Sequence, residues 1–393
     1  MWYLISLFIM VGIANPIFAQ VPMKATSSKK LESKIAQLFT KTLKKHSVHN
    51  AFLLVHSPSQ GIHWNYLGGK TKNGQKITND HYFHTASLGK TFTATIIALL
   101  QEKQLLAFND PISKYLPQDV IEGLHILRGQ DYSREILVQH LLQHTAGLPD
   151  YFLDKATNTP SKRSKTLAEA FIDEPQKRWT PLDLIAFSKQ YQTPLFAPGD
   201  GYHYTDTGYI LLGLIIEKIT GKTFHENLEQ FIFKPLEMSH TSLAFYSKPK
   251  VASPHPIAEI YLETTEVSSF NSLSLDWAGG GIISTQADLL KFMKALIGYE
   301  LVQKKTLKQM QQWVKENRGI YYGYGLMNFR LKELFFLLPP YQLIGHSGFT
   351  GSYMYYNPAH DLYLIGAFNQ SKYMKKHIMF LIKILNLFKK YNR

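Results

Sequence analysis

The chain reads as a mixed α/β protein of the α+β type, with a central antiparallel sheet flanked by helices and a mainly helical lobe inserted into it. Three patterns predict this. Near the N-terminus a helix-like stretch precedes two strand-like runs, and near the C-terminus four strand-like runs separated by turns lead into a closing helical segment. Between them, from about Leu105 to Gly279, apolar spacing is mainly helical with long loops, so the sheet must be assembled from both chain ends.

The elements follow in order. Met1 to Ala14 is almost wholly apolar and is followed by Asn15-Pro-Ile-Phe-Ala19, the pattern of a signal peptide cleaved near Ala19. Export to the periplasm or secretion is therefore expected. No Lys or Arg precedes the apolar run, which leaves an uncleaved N-terminal anchor as the alternative. Leu31 to Lys45 is helix-like, and Ala51-Phe-Leu-Leu-Val55 and Gly61 to Leu67 are strand-like, separated by a Ser-Pro-Ser turn. An apolar stretch from Phe92 to Leu106 predicts a buried helix. Helices are also expected at Ile136 to Gln143 and Gly208 to Ile219. Lys155 to Lys177 is polar and loop-like, a solvated insertion or a flap near the cleft. Strands are predicted at Tyr322–Leu331, Tyr341–His346, Ser352–Asn357 and Leu362–Asn369. The basic tail from Lys372 to Arg393 has helical apolar spacing and suits either a packed final helix or one lying on a membrane surface.

Composition narrows the function classes. With 393 residues, 45% hydrophobic and 18% charged, the chain can bury a large core as one big domain or two intimate lobes. The absence of cysteine excludes disulfides, thiolate metal sites, a cysteine nucleophile and a lipoprotein anchor. A net charge of +14 would suit peripheral contact with an anionic membrane or cell-wall surface, but apart from Lys29–Lys45 and the tail the basic residues are dispersed. No nucleic-acid-binding motif is present, so no nucleic-acid partner is expected. Sixteen histidines include no His-Glu-x-x-His, and the pairs His81/His84 and His140/His144 lack an evident third ligand. No metal and no cofactor are expected; His140 and His144 are read as capping and bracing a loop.

Three short motifs carry the chemistry: Ser87-Leu-Gly-Lys90, Tyr204-Thr-Asp206 and His346-Ser-Gly348. Ser-x-x-Lys also occurs at Ser27/Lys30 and Ser247/Lys250, so spacing alone selects none. Context selects Ser87, which closes the extended run Tyr82-Phe-His-Thr85 and opens an apolar helix, with Lys90 one turn on along the same face. A serine hydroxyl needs a neighbouring base, and the oxyanion formed on attack needs fixed N–H donors. Taken singly, Ser87 could be only an N-cap, Tyr204 a half-buried aromatic and His346 a hydrogen-bonded strand histidine.

Taken together, the motifs resemble those of the penicillin-binding, class C β-lactamase and D-alanyl-D-alanine carboxypeptidase superfamily of serine hydrolases. Asp110-Pro-Ile-Ser-Lys-Tyr-Leu-Pro117, His140-Leu-Leu-Gln-His-Thr-Ala-Gly-Leu148, Thr207-Gly-Tyr-Ile-Leu-Leu-Gly213 and Gly279-Gly-Gly-Ile-Ile-Ser-Thr285 are similar to further landmarks of that family, in the same order. The resemblance implies that Ser87 is the acylated nucleophile, Lys90 its proton-transfer partner and Tyr204 a phenol shared between nucleophile and leaving group. His346 would line the cleft from an edge strand. Backbone N–H groups of Ser87 and Phe349 would form the oxyanion hole, with Asp206, Ser347 and Gly348 in supporting or substrate-binding roles. A final helix covering the sheet is also implied.

Two departures from the β-lactamase pattern bear on mechanism. Asp206 stands where asparagine is common; facing Lys90, it would favour the ammonium and leave lysine less available as a base. His346 stands where lysine is usual, as in the peptidase and esterase branches, replacing a fixed cation by a titratable one and weakening recognition of a substrate carboxylate. The function expected is an exported serine hydrolase forming an acyl-enzyme on Ser87, acting on D-amino-acid peptides such as cell-wall stem termini or on small esters and amides. A weak β-lactamase and a catalytically impaired binding or sensor protein are the alternatives.

Overall fold

The computed structural model describes residues 25–45, 47–157 and 166–391; the expected signal segment, 1–19, lies outside them. Eight antiparallel strands form the main sheet: β1 (Asn50–Ser57), β2 (Ile62–Gly69), β3 (Val314–Asn317), β4 (Ile320–Tyr322), β5 (Met327–Arg330), β6 (Gln342–Ser347), β7 (Ser352–Asn357) and β8 (Leu362–Ala367). Their order is β3-β4-β5-β6-β7-β8-β1-β2, so the N-terminal hairpin joins the C-terminal meander where Phe52 pairs with Ala367.

Strand periodicity divides the protein into two cores. Along β1, Ala51, Leu53 and Val55 face one side while Phe52 and Leu54 face the other. The first side is covered by helices α1 (Ala25–Leu43), through Leu31, Ile35 and Phe39, and α5 (Lys376–Tyr391), through Leu381, Ile384, Leu385 and Phe388. Each such side chain contributes up to about 1.5–3 kcal/mol when buried. The tail is thus a packed final helix, and its apolar face is not available to a membrane. The second side faces α2 (Gly89–Glu102), α3 (Asp206–Thr220) and α4 (Gln286–Ile297), which with shorter helices between residues 118 and 228 hold the larger core. Among the described residues no helix is long and apolar enough to cross a membrane.

Several boundaries differ from expectation. The predicted strand Tyr322–Leu331 is two strands, because between them the chain leaves the sheet so that the Gly325 carbonyl can accept from Thr91 Oγ1 of α2 at 2.8 Å. The predicted helix ends at Glu102, where Gln104 turns to φ 59°. The expected 155–177 loop contains a helix, Leu167–Asp173, capped reciprocally by Thr166 and Glu169; residues 158–165 lie outside the described part. His346 is on an internal strand, not an edge strand, since β6 pairs with both β5 and β7. Because β5 begins at Met327, opposite Gly345, residues 346 and 347 run past it and the edge is local.

Candidate active site

Ser87 lies in a single 3₁₀ turn, Ala86–Leu88, that runs directly into α2. The preceding Ala86 has φ 48°, a conformation that costs a non-glycine residue strain and persists only where its surroundings over-determine it. Those surroundings are tight. A Cβ on Gly280 would stand 2.8 Å from the Ala86 carbonyl carbon, and one on Gly348 would stand 2.7 Å from the Thr85 carbonyl oxygen, so both segments close on the turn only as glycine. Ser352 Oγ donates to the same Thr85 carbonyl at 2.6 Å, tying the turn to β7.

Lys90 is fully buried one helical turn after Ser87. Its ammonium donates to Ser87 Oγ at 3.2 Å and to the Gly279 carbonyl at 3.0 Å, and forms a short ion pair with Asp206 Oδ1. Burial opposes its charge, but Asp206 and Tyr204 outweigh burial and hold its pKa above the usual lysine value. Asp206 opens α3, where an anion suits the positive end of the helix; Thr205 Oγ1 accepts from the Thr207 N–H, and the Asp206 N–H donates to Asp150 Oδ1 at 3.0 Å.

Tyr204 precedes this helix with its ring 5.0 Å from Lys90 Nζ. Burial raises its phenol pKa, Lys90 opposes the rise, and Asp206 adds to it. The resting pair at neutral pH is an ammonium and a neutral phenol. The sequence-based concern that Asp206 would fix the charge of Lys90 thus has a direct structural counterpart.

His346 requires a correction. It is buried, and desolvation together with the Lys90 charge lowers its pKa to about 3, so it does not act as a titratable cation near neutrality. Its Nδ1 lies 2.8 Å from the Ser347 carbonyl, which can only accept, so Nδ1 carries the proton and Nε2 accepts from Tyr322 O–H at 2.8 Å. Ser347 is likewise engaged: its hydroxyl is 2.7 Å from His377 Nε2 of α5 and 2.5 Å from the Tyr355 hydroxyl. Since His377 Nδ1 donates to the Tyr373 carbonyl, Nε2 is the acceptor and Ser347 the donor. Ser347 braces β6 against α5.

Ser87 and Phe349 line the same cleft. Gly348 brings Phe349 there.

Three participants were not read from the sequence as part of the site, although His144 was expected to brace a loop. Buried His144 accepts from the Thr205 N–H at 3.2 Å and lies 4.3 Å from the Tyr204 ring, so it braces the second motif; His140 Nδ1 accepts from the Leu137 N–H, capping the start of its helix and not the loop after it as expected. Asp150 and Asp276 are both pushed up to about 7, by desolvation first and by the Asp206 charge second. The Asp-Tyr and Asp-Trp dipeptides carry no recognisable spacing signal; only the fold brings them to Asp206. The cleft, of about 550 Å³, is walled mostly by apolar side chains, among them Phe152, Phe171, Leu273, Phe349 and Ile378.

With this geometry in view, the comparisons with known proteins are consistent. Residues 35–381 match the family model described as Beta-lactamase. Penicillin-binding protein 4* of Bacillus subtilis (strain 168) is 26% identical over 321 residues, covering 77% of this chain and 64% of that protein. A putative D-alanyl-D-alanine carboxypeptidase of Escherichia coli (strain K12) is 26% identical over 327 residues, 74% of this chain and 69% of its own length. Among solved structures, a D-stereospecific amidohydrolase from Streptomyces sp. superposes with TM-score 0.69 at 27% identity, covering 87% of this chain and 94% of the other. D-amino acid amidase from Ochrobactrum anthropi SV3 gives TM-score 0.75 at 24% identity, with coverage of 93% and 100%, a likeness of fold. The chain spans just under two thirds of the length of the Bacillus protein. The family match extends over nearly the whole described chain and includes all three motif segments, and on that ground this protein belongs to the beta-lactamase family, whose members are serine hydrolases.

Proposed function

We propose that the protein is an exported serine hydrolase that forms an acyl-enzyme on Ser87 with D-amino-acid amides, esters or peptides, releasing the acyl group to water or to an amine. The observation that carries this reading is the placement of Ser87 at a helix entrance with Lys90 Nζ 3.2 Å from its hydroxyl and the Tyr204 ring 5.0 Å from that ammonium. Ser87 attacks the substrate carbonyl in the fraction of molecules whose Tyr204/Lys90 pair has first released a proton to solvent, since the resting ammonium–phenol form has no basic site. The Ser87 proton passes into that deprotonated pair, and the N–H groups of Ser87 and Phe349 receive the oxyanion. One such donor typically changes the rate about a hundredfold or more. The leaving amine or alcohol takes a proton back from the same pair, and water or an acceptor amine then attacks the ester.

Neutral, buried His346 supports substrates without a recognised carboxylate over a carboxylate-dependent β-lactamase reaction. The D-stereospecific amidohydrolase and the putative D-alanyl-D-alanine carboxypeptidase among its relatives support the D-amino-acid class. The signal-like segment 1–19 supports export, to the periplasm or beyond the cell. No cofactor enters this scheme.

The Lys90–Asp206 ion pair favours one second reading, a ligand-binding protein whose turnover is disabled by a locked ammonium. Hydrolysis of D- and L-phenylalanine amide, followed by ammonia release, separates the two. Ser87-dependent release from the D-amide is expected; no release from either, with reversible binding of the D-amide, would favour the binder.

A further inference from the structure

Asp276 is the one carboxylate of the Asp150/Asp206/Asp276 group with neither a hydrogen bond nor an ion pair among the described residues. It lines the cleft together with Ser87, Tyr204 and Asp206. Asp206 is paired with Lys90, and Asp150 accepts from the N–H groups of Asp206, Phe152 and Leu153. For Asp276 the influences are desolvation, which comes first, then repulsion from Asp206 and a weaker attraction to Lys90; no hydrogen bond is among them. Its backbone is fixed, because the following Trp277 has φ 25° and packs beside Phe224, and the turn it opens carries the Gly279 carbonyl that binds Lys90.

A carboxylate withdrawn from water and set beside another carboxylate is stabilised by a cation. The protein does not supply one at this position. Lys90 is committed to Asp206, Ser87 and Gly279, and Lys375, a cation lining the cleft, is exposed in the turn just before α5. The other carboxylate of the cleft, Glu316 on β3, accepts from Tyr202 O–H at 3.2 Å. The lobe wall next to Asp276 is apolar, formed by Phe171, Leu273 and Leu275. A ligand that satisfies this wall carries a cation and an apolar group side by side.

We infer that Asp276 is an ammonium anchor that selects acyl donors bearing a free amine and an apolar side chain next to the reacting carbonyl. This rests on the assignment of Ser87 as nucleophile. It favours an amide, ester or N-terminal residue of a free apolar amino acid over a stem peptide, whose corresponding amine is acylated and uncharged.

The test uses the full chain at pH 7.5 with D-phenylalanine 4-nitroanilide and its des-amino counterpart, 3-phenylpropanoic acid 4-nitroanilide. The readout is the ratio of kcat/KM for the two, so the intrinsic effect of the amine on anilide reactivity cancels between variants. Asp276→Asn is expected to lower the ratio by about tenfold or more, chiefly through KM of the amine substrate, as for loss of a charge-assisted hydrogen bond. Asp276→Glu should restore part of it, and Glu316→Gln should leave the ratio near that of the unmodified chain. A ratio in Asp276→Asn within twofold of the unmodified chain, or a collapse in Glu316→Gln instead, overturns the anchor. Fluorophosphonate labelling of Ser87 in each variant certifies the fold and the nucleophile. Labelling without any preference for the amine substrate overturns the anchor alone, whereas no labelling of the unmodified chain overturns the hydrolase reading and the anchor with it.

Discussion

Replacing Asp206 by asparagine removes the counter-charge of a fully buried ammonium while keeping the size of the side chain. Breaking one partner of a buried ion pair typically costs about 3–5 kcal/mol. Here the penalty has a ceiling, because the lysine can shed its proton: from an ordinary pKa of about 10.4, neutralisation at pH 7 costs about 4.6 kcal/mol. Asp150 and Asp276, both raised by the Asp206 charge, ionise more readily once it is gone and offset part of the loss. A net destabilisation of about 2–4 kcal/mol at pH 7 is therefore expected.

Its pH dependence carries the stronger test. In the unmodified chain the Lys90 pKa is raised, so the stabilisation is present in full below the unfolded-state value and is lost only as pH rises through the still higher folded-state value. In the variant, desolvation is compensated only in part and depresses the Lys90 pKa, so the unfolded state binds more protons and stability rises with pH up to about 10.4. The gap between the two proteins should narrow between pH 7 and pH 9.5, by up to about 1.4 kcal/mol per pH unit. Urea unfolding of both proteins across that range measures it. A gap that is absent at pH 7, or that stays constant or widens, would refute the claim that Asp206 holds Lys90 as an ammonium. With Lys90 neutral at lower pH, acylation of the variant by a fluorophosphonate should also gain a rising limb below pH 10.

Other perturbations probe the frame of the site. Gly280→Ala places a methyl group against the Ala86 backbone and must displace the Ser87 turn; acylation should slow by about a hundredfold with helical content retained, and an unchanged rate would mean that this close packing does not position Ser87. Tyr322→Phe leaves buried His346 Nε2 without its donor and should cost about 1–3 kcal/mol in urea unfolding; a neutral outcome would contradict the assigned tautomer. His346, with its pKa near 3, should keep the neutral Nδ1–H signature in nitrogen NMR from pH 8 to pH 5. Because its folded-state pKa is depressed, it contributes stability above the unfolded value near 6.5 that declines as pH falls toward 3, and a change of its signal near pH 6.5 would return it to the role of a titratable cation.

The strands with strong apolar alternation, Asn50–Ser57 and Leu362–Ala367, were legible within a residue or two, since each must fill two cores at once. Val314-Lys-Glu-Asn317 was not, because an outer strand with exposed residues has no apolar period to read. The capping box at Thr166 and Glu169 was a readable helix signal inside a stretch whose polarity argued for a loop. At the site, residues within motifs were legible, and Ser87, Lys90, Tyr204, Asp206, His346 and Gly348 do converge. Their electrostatic states were not. The burial that keeps His346 neutral arises from Tyr322, Lys90 and the strand end, and the like-charge neighbours of Asp206 come from positions 56 residues before it and 70 after it.

The most direct measurement is intact-protein mass after exposure to a fluorophosphonate and, separately, to a penicillin, for the unmodified chain and for Ser87→Ala. One adduct per chain, present in the first and missing in a folded Ser87→Ala, is the predicted result. No adduct from either reagent in folded protein, or an adduct that survives the substitution, would contradict the assignment of Ser87 as the acylated nucleophile.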